Sequence, residues 1–353
     1  MATPPATCLV VSYHYVRNGS AAPFQGLHGL GADRFEQQLA GMQHDRALLD
    51  YTAFLDALDG GRPLARPGVL LTFDDGLSDH YTTVFPILKA RGAAGIFFVS
   101  ARTVGPPPRV LNVQKTQLLL AALGGDALWE EVQGAVVPVR GWARCHPCGP
   151  EVYRYDTVAD ARIKHLLNYE LPFEVVDSVL DALFRRHIGE EVEVAPALYL
   201  SEAMIREMAR AGMTFGYHTA THRVLARLSE DEQRAEVEDG MRWIRTLTGQ
   251  PTVPFCFPHG HAHAYTSQTV RILRETGYSM AFTAVRDLAY PAAGARFELP
   301  RYDTRDMPWP AEQTSLSRRI APHASSRRQT ARRHSAELRS TLTGLRRSHP
   351  EMS

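Results

Sequence analysis

The sequence has few cysteines and no long apolar run. Four cysteines among 353 residues are too few for a disulfide framework. Cys145 and Cys148 have the spacing of a zinc knuckle, but no second pair follows closely, so we interpret them as a loop feature. No apolar stretch approaches the roughly 20 residues that a membrane-spanning helix needs. Residues 1–7 lack a basic segment followed by an apolar core, so we see no secretory signal and expect a cytoplasmic protein.

An excess of charge of either sign is also missing. The chain carries 39 basic and 38 acidic residues, for a net charge of +1, and we therefore expect neither a nucleic acid nor a membrane surface as its partner. A content of 44% apolar and 22% charged residues is typical of a globular protein. The exception is residues 311–353, where nine arginines and few large apolar residues predict a disordered basic tail.

The most informative stretch is a short apolar run that ends in two carboxylates. Residues 69–73 lie between Pro67-Gly68 and Asp74-Asp75-Gly76, which predicts a buried strand. Adjacent strand residues alternate faces, so Asp74 and Asp75 should point in different directions. One carboxylate could then hold a metal while the other moves a proton. The alternative is an Asp-Asp-Gly turn that only closes the strand.

Strand-like runs alternate with helical patterns along most of residues 8–310, which predicts a largely parallel α/β sheet or barrel. Residues 105–197 do not continue this alternation and contain helical stretches near 113–123 and 174–184. We interpret them as an insertion that selects the substrate. The other predicted strands are 8–15, 95–99, 212–217, 253–257, 280–283 and 297–302, and the predicted helices are 33–42, with Asp33 as N-cap, 51–58, 79–90, 201–211, 231–247 and 267–275.

Two histidines follow a predicted strand in the same way as the two carboxylates. His218 and His222 are four residues apart, a spacing that on a helical turn brings both imidazoles to one face. Two imidazoles and one carboxylate suit a divalent metal that keeps open coordination positions. One such pair among 15 histidines is weak by itself. The position of the pair directly after a predicted strand strengthens the evidence for a metal site, because the carboxyl ends of barrel strands share one face.

Further polar residues are predicted at other strand ends on the same face. They are His14, Pro258-His259-Gly260 and Arg301. For His14 the alternative is a hydrogen bond to a backbone carbonyl, and for Arg301 it is a structural ion pair. His259, His261 and His263 could form a second metal cluster, but a loop that lines the substrate or a solvated turn fits them better.

The two principal motifs resemble those of a known family. Thr72-Phe73-Asp74-Asp75-Gly76 and His218-Thr219-Ala220-Thr221-His222 resemble the first two motifs of the polysaccharide deacetylases of the NodB-homology type, carbohydrate esterase family 4. Residues 257–260 resemble the third motif imperfectly, since Cys256 stands where members often carry arginine and His259 where they carry an aromatic residue. Residues 13–16 resemble members with circularly permuted motifs, in which the last motif's histidine lies on the first strand.

The resemblance implies a distorted (β/α)7 barrel over residues 8–310, with the insertion at about 105–197, followed by the tail at 311–353. It implies a metal, usually zinc, with cobalt or nickel as alternatives, on Asp75, His218 and His222. Asp74 matches the catalytic base, and our choices for the general acid are His14 first and His259 second. The residues we assign to substrate contact or support are Tyr13, Thr219, Pro258, Gly260 and Arg301, the last as a candidate to anchor Asp74 in place of the missing arginine.

The implied reaction is hydrolysis that removes an N-acyl group, with N-acetyl as our first choice, from an intracellular amino sugar or sugar-containing substrate. It would release a free amine and acetate. The alternatives are a related amidohydrolase acting on a non-sugar amide or cyclic ureide, and an inactive carbohydrate-binding barrel. An iron(II) oxygenase also uses two histidines and a carboxylate, but here the carboxylate comes about 140 residues earlier on an α/β pattern, which disfavours that class.

Overall fold

The computed structural model describes residues 7–19, 24–27, 29–136, 152–290 and 296–307. The predicted tail at 311–353 and the Cys145 and Cys148 pair lie outside these residues. None of the described helices is both long enough and apolar enough to cross a membrane.

A curved sheet of parallel strands forms the centre of the described structure. The strands are β1 Cys8–Tyr13, β2 Ala47–Leu49, β3 Gly68–Phe73, β4 Ile96–Val99, β5 Thr214–Tyr217, β6 Phe255–Cys256, β7 Ala281–Phe282 and β8 Tyr302–Asp303. They pair in the order β7-β6-β5-β4-β3-β1-β8, with β2 against β3, and the pairings are parallel. This half-barrel, surrounded by helices, confirms the predicted distorted (β/α) barrel.

Helices connect the strands, and most lie where their patterns predict them. The helix predicted for 33–42 is longer, and its N-cap is Gly31 rather than Asp33. The helix predicted for 79–90 begins with a π-helical turn, His80–Val84. The α-helices are α1 Ala32–Asp45, α2 Tyr51–Leu58, α3 Phe85–Ala90, α4 Ala101–Val104, α5 Asn112–Leu123, α6 Gly125–Val136, α7 Val158–His165, α8 Phe173–His187, α9 Glu191–Leu198, α10 Glu202–Arg210, α11 Glu230–Thr248 and α12 Ser267–Thr276.

Alternate residues of the central strands pack on opposite faces of the sheet. One face packs against the surrounding helices, and its aromatic rings stack in a row, with Phe73 and Phe97 at a centroid distance of 4.7 Å. The other face lies inside the curve of the sheet, where Leu70, Phe98 and Phe282 form a smaller cluster. This alternation follows from the two-residue period of a strand, and it decides which residues can reach the barrel interior.

The helical insertion, residues 105–197, packs through its own apolar cluster. It is also attached to the barrel by polar contacts. Arg227 donates hydrogen bonds of 2.7 Å to the carbonyl oxygens of Asn168 and Leu171, and Arg154 forms a 2.7 Å ion pair with Asp306. These contacts hold helices of the insertion against the carboxyl ends of the strands.

Two glycines provide a matched test of the packing. A Cβ at Gly240 in α11 would lie 2.1 Å from the buried ring of Tyr217, whereas a Cβ at Gly134 in α6 would meet nothing within 4 Å. We expect Gly240→Ala to lower the free energy of unfolding by about 1–3 kcal/mol through overpacking. Gly134→Ala should raise it by about 0.5–1 kcal/mol, because alanine favours a helix interior. Urea unfolding measures both, and stabilisation by Gly240→Ala would contradict this packing.

Candidate active site

The carboxyl ends of the strands bring together residues with an unusual backbone conformation. Among the described residues, the non-glycine residues with positive φ are Asp75 at 72°, Thr219 at 65°, His222 at 61° and His259 at 61°. Such conformations are uncommon outside glycine, and each costs about 1–3 kcal/mol. All four belong to motifs singled out from the sequence, so the strain is concentrated where those motifs meet.

Asp74 is buried and is held by a single arginine. Nη1 and Nη2 of Arg301 donate to the two carboxylate oxygens of Asp74, each at 2.8 Å. Burial opposes ionisation of this carboxyl group, but the guanidinium outweighs it and holds the pKa of Asp74 well below its usual range. Asp74 is therefore a carboxylate at neutral pH. Its Oδ2 also accepts a 3.7 Å hydrogen bond from Sγ of Cys256, whereas Oδ1 accepts only from Arg301 among the described contacts and keeps a lone pair that could accept a proton.

Arg301 reaches Asp74 from a position that differs from the predicted one. It directly precedes β8 instead of ending a strand, and β8 begins beside Val11, in the second half of β1. The buried guanidinium also donates to Thr283 O at 2.8 Å and to Thr72 Oγ1 at 3.1 Å. Its Nη2 lies 3.1 Å from Sγ of Cys256, the residue at the family's usual arginine position.

Asp75 has two oxygens with different surroundings. Oδ2 accepts a 2.8 Å hydrogen bond from Nε2 of Gln114, which lies on α5 of the insertion. Oδ1 is buried and has no hydrogen-bond donor among the residues that the structure describes. It lies 3.6 Å from Nε2 of His218 and 3.4 Å from Nε2 of His222. Burial raises the pKa of Asp75, against the opposing effect of the neighbouring imidazoles.

His218 and His222 do not lie on a helical turn, so that part of the prediction is wrong. They belong to a loop after β5 in which Thr219 and His222 adopt left-handed backbone conformations, and the Thr219 hydroxyl accepts the His222 N–H at 2.9 Å. Nδ1 of His218 donates to the carbonyl of Cys256 at 2.8 Å. In the neutral ring the lone pair is therefore on Nε2, which faces Asp75.

A glutamate on α11 holds the loop in this shape. The Glu236 carboxylate accepts hydrogen bonds from the backbone N–H of Thr221, at 2.9 Å, and from its hydroxyl. The sequence contained a signal for this residue, because Glu236 falls on the buried face of α11 beside Val237 and Gly240. Gln114 gave no comparable signal, since its partner is 39 residues away in the chain.

The three predicted ligands form a group that could hold a divalent cation. The ligand atoms of Asp75, His218 and His222 lie within 4.8 Å of one another, and all three residues are buried. Tetrahedral zinc with ligands at about 2.0–2.1 Å would place these atoms about 3.3–3.4 Å apart. The observed 3.4 and 3.6 Å, together with the unpaired Oδ1 of Asp75, fit such an ion.

A second group of potential ligands fits a cation less well. It consists of Asp74, His218 and Cys256. Both oxygens of Asp74 already accept from Arg301, and burial raises the pKa of the Cys256 thiol well above its usual value. A protonated thiol is a poor ligand, so the first group is the better candidate.

The two candidate acids occupy different positions. Nε2 of His14 lies 3.8 Å from Oδ2 of Asp74, and its side chain is 42% exposed, so it stands at the open side of the site. The ring of His259 lies 5.0 Å from that of His222. Burial lowers the pKa of His259 to about 3, with the charges of His261 and His218 acting in the same direction. His261 itself contacts the hydroxyl of Tyr169 in the insertion.

The remaining predicted residues play structural parts or lie elsewhere. Tyr13 is fully buried on the helix-facing side of the sheet, where it stacks on Phe73 and donates to Gln38 at 3.1 Å. Strand alternation points Tyr13 away from the barrel interior, so of the two parts we assigned to it, substrate contact is wrong and structural support remains. Pro258 and Gly260 form a tight turn after β6, and a Cβ at Gly260 would lie 2.6 Å from the Ala284 nitrogen.

Comparison with known proteins identifies the family. A family model described as polysaccharide deacetylase matches residues 61–117 and 178–281, which contain both principal motifs. The chain belongs to the polysaccharide deacetylase family. The stretch between the matched segments, 118–177, falls within the helical insertion.

Two curated relatives match part of the chain. The putative polysaccharide deacetylase YxkH of Bacillus subtilis is 29% identical over 85 residues, which are 24% of this chain and 29% of that protein. The poly-beta-1,6-N-acetyl-D-glucosamine N-deacetylase of Escherichia coli is 24% identical over 241 residues, which are 66% of this chain and 27% of that protein. The matched stretches thus span less than a third of either relative.

Solved structures share the fold. The Streptococcus pyogenes deacetylase PplD, in complex with acetate, aligns with a TM-score of 0.55 at 19% identity and covers 90% of this chain and 100% of its own. IcaB from Ammonifex degensii aligns with a TM-score of 0.52 at 20% identity, covering 85% of this chain and 92% of its own.

The pairing of Asp74 with Arg301 predicts a large effect on stability. Arg301→Met should leave the buried carboxylate without its partner and lower the free energy of unfolding by about 3–5 kcal/mol. The double variant with Asp74→Asn removes that charge and should recover much of the loss. Urea unfolding of both variants measures the difference. A single variant that loses less than about 1 kcal/mol would show that Arg301 does not determine the state of Asp74.

Proposed function

We propose that the protein is a metal-dependent deacetylase that hydrolyses the N-acetyl group of an amino sugar. The observation that carries this proposal is the arrangement of Asp75, His218 and His222 around one centre, beside a second carboxylate, Asp74, that Arg301 keeps ionised. Family membership supports the same reaction. The products would be a free amino sugar and acetate.

The cation would be held by Asp75, His218 and His222, most simply as zinc, with cobalt or nickel as alternatives. When bound there, it would supply Lewis-acid stabilisation for the oxygen of the amide carbonyl. The chain prepares its ligands in advance, because Gln114 holds one oxygen of Asp75 and the Cys256 carbonyl fixes the tautomer of His218. This arrangement limits the reorganisation needed on binding.

Asp74 would act as the general base. It accepts a proton from the water that attacks the carbonyl carbon, while its hydrogen bonds to Arg301 keep its position fixed. The carbon–nitrogen bond then breaks, and the departing nitrogen needs a proton. We assign that proton to His14, because it stands at the open side of the site within 3.8 Å of Asp74. His259 is the second candidate.

The proposed substrate is an N-acetylated sugar of the glucosamine type. The Escherichia coli relative is named for poly-beta-1,6-N-acetyl-D-glucosamine, and it matches 66% of this chain. The sequence itself suggested an intracellular substrate and a cytoplasmic location, and both stay predictions. Nucleotide sugars and short β-1,6-linked oligomers are therefore the two substrate sets to compare.

Acetate release from these sugars tests the proposal directly. Asp74→Asn should lower kcat by about 10²–10⁴-fold while zinc stays bound, because it removes the base and leaves the ligands. His218→Ala should lose both zinc and turnover. Enzyme-coupled acetate detection and metal analysis measure the two properties, and His44→Ala, at an exposed site on α1, serves as the control.

Some results would contradict the proposal. Full acetate release by Asp74→Asn would exclude it as the base. A wild-type protein that binds zinc but releases acetate from no sugar would favour a carbohydrate-binding barrel. Acetate release only from non-sugar amides would favour a related amidohydrolase whose substrate is not a sugar.

The assignment of His14 as the general acid can be tested by changing the leaving group of the substrate. His14→Gln should lower kcat on an N-acetyl sugar by about 10²–10⁴-fold, because the amine leaves only when protonated. On p-nitrophenyl acetate, whose leaving group needs no proton, the loss should be less than about tenfold. Asp74→Asn, as the control, should lower both rates. An equal loss on both substrates would exclude His14 as the acid, and the selective pattern in His259→Gln would transfer the role there.

A further inference from the structure

The helical insertion contributes a buried side chain to the candidate metal site. Gln114, on α5, is fully buried, and its Nε2 donates a 2.8 Å hydrogen bond to Oδ2 of Asp75. The other oxygen, Oδ1, faces the Nε2 atoms of His218 and His222. The two oxygens of Asp75 therefore have different partners: Oδ2 is hydrogen-bonded to Gln114, and Oδ1 is directed toward the two imidazoles.

The orientation of the Gln114 amide is fixed in turn. The hydroxyl of Tyr199, which directly follows α9, donates to Oε1 of Gln114 at 3.1 Å. The same hydroxyl accepts the backbone N–H of Leu111 at 3.1 Å. An amide rotated by 180° would place its oxygen against the Asp75 carboxylate, which is unfavourable. Three buried residues therefore form a directed chain of hydrogen bonds that ends at Asp75.

The helix that carries Gln114 is anchored next to it. Lys115 is buried and forms ion pairs with Asp181 on α8 and Glu191 on α9, the latter at 2.7 Å. The Glu191 carboxylate also accepts the backbone N–H of Val110 at 3.0 Å. These contacts fix the start of α5 to the rest of the insertion, and so set the depth at which Gln114 enters the site.

We propose that Gln114 is a positioning residue for the metal, held by Tyr199, and that the helical insertion is therefore part of the metal site. This inference rests on the proposed function, because it requires a cation on Asp75, His218 and His222. Without Gln114 the carboxylate could rotate and share both oxygens between the cation and other partners. Removing a residue that hydrogen-bonds to a metal ligand typically weakens metal binding by about 10–100-fold.

Zinc affinity of the purified chain tests the inference without measuring turnover. Competition with a chromophoric chelator should show zinc binding weakened by about 10–100-fold in Gln114→Leu. Tyr199→Phe keeps the glutamine but frees its amide, and should weaken binding by a smaller factor of at least about threefold. Thr116→Val, on the same helix, removes a hydroxyl that bonds only to Asn112 O among the described contacts, and should bind zinc as wild type does.

The outcomes separate this inference from the proposed function. If the wild type binds no zinc, the proposed function fails and this inference fails with it. If the wild type binds zinc and a folded Gln114→Leu variant binds it within twofold, only the inference is overturned. An equal loss in Thr116→Val would also overturn it, since any change in α5 would then act alike. If Gln114→Leu does not fold, Tyr199→Phe decides, and unchanged affinity overturns the inference.

Discussion

The site depends on keeping two adjacent buried carboxylates in different electrostatic surroundings. Asp74 is bound at both oxygens by the Arg301 guanidinium, while Asp75 presents one oxygen to two imidazoles. Two carboxylates at neighbouring positions would otherwise repel each other and favour a shared proton. Both residues follow the end of β3, and Asp75 has a left-handed backbone with φ of 72°, so the turn after the strand sets its conformation.

The groups that surround the two carboxylates come from both the barrel and the insertion. Arg301 comes from the segment before β8, the imidazoles from the loop after β5, and Gln114 from α5. Each group is fixed by a second partner, as Glu236 fixes the loop of the histidines. The polar groups are therefore placed by packing and hydrogen bonds within the protein itself, which is the condition for electrostatic stabilisation of a reaction.

Local patterns were sufficient for the fold and the principal motifs. The strand before Asp74 follows from a short run of apolar residues, and the helix Tyr51–Leu58 follows from the helical spacing of its apolar residues. The loop of His218 and His222 could not be predicted from spacing, because a helical turn and a left-handed loop both bring residues i and i+4 together. The contacts of Arg301 and Gln114 join residues 227 and 39 positions apart, and no local pattern encodes such pairs.

The convergence of three ligand atoms on one cation is the central claim. Anomalous diffraction at the zinc edge, from crystals of the protein grown with zinc, tests it most directly. We expect a peak about 2.0–2.2 Å from Oδ1 of Asp75 and from Nε2 of His218 and His222. A peak coordinated instead by Asp74 and Cys256, or zinc sites only at the protein surface, would contradict the account.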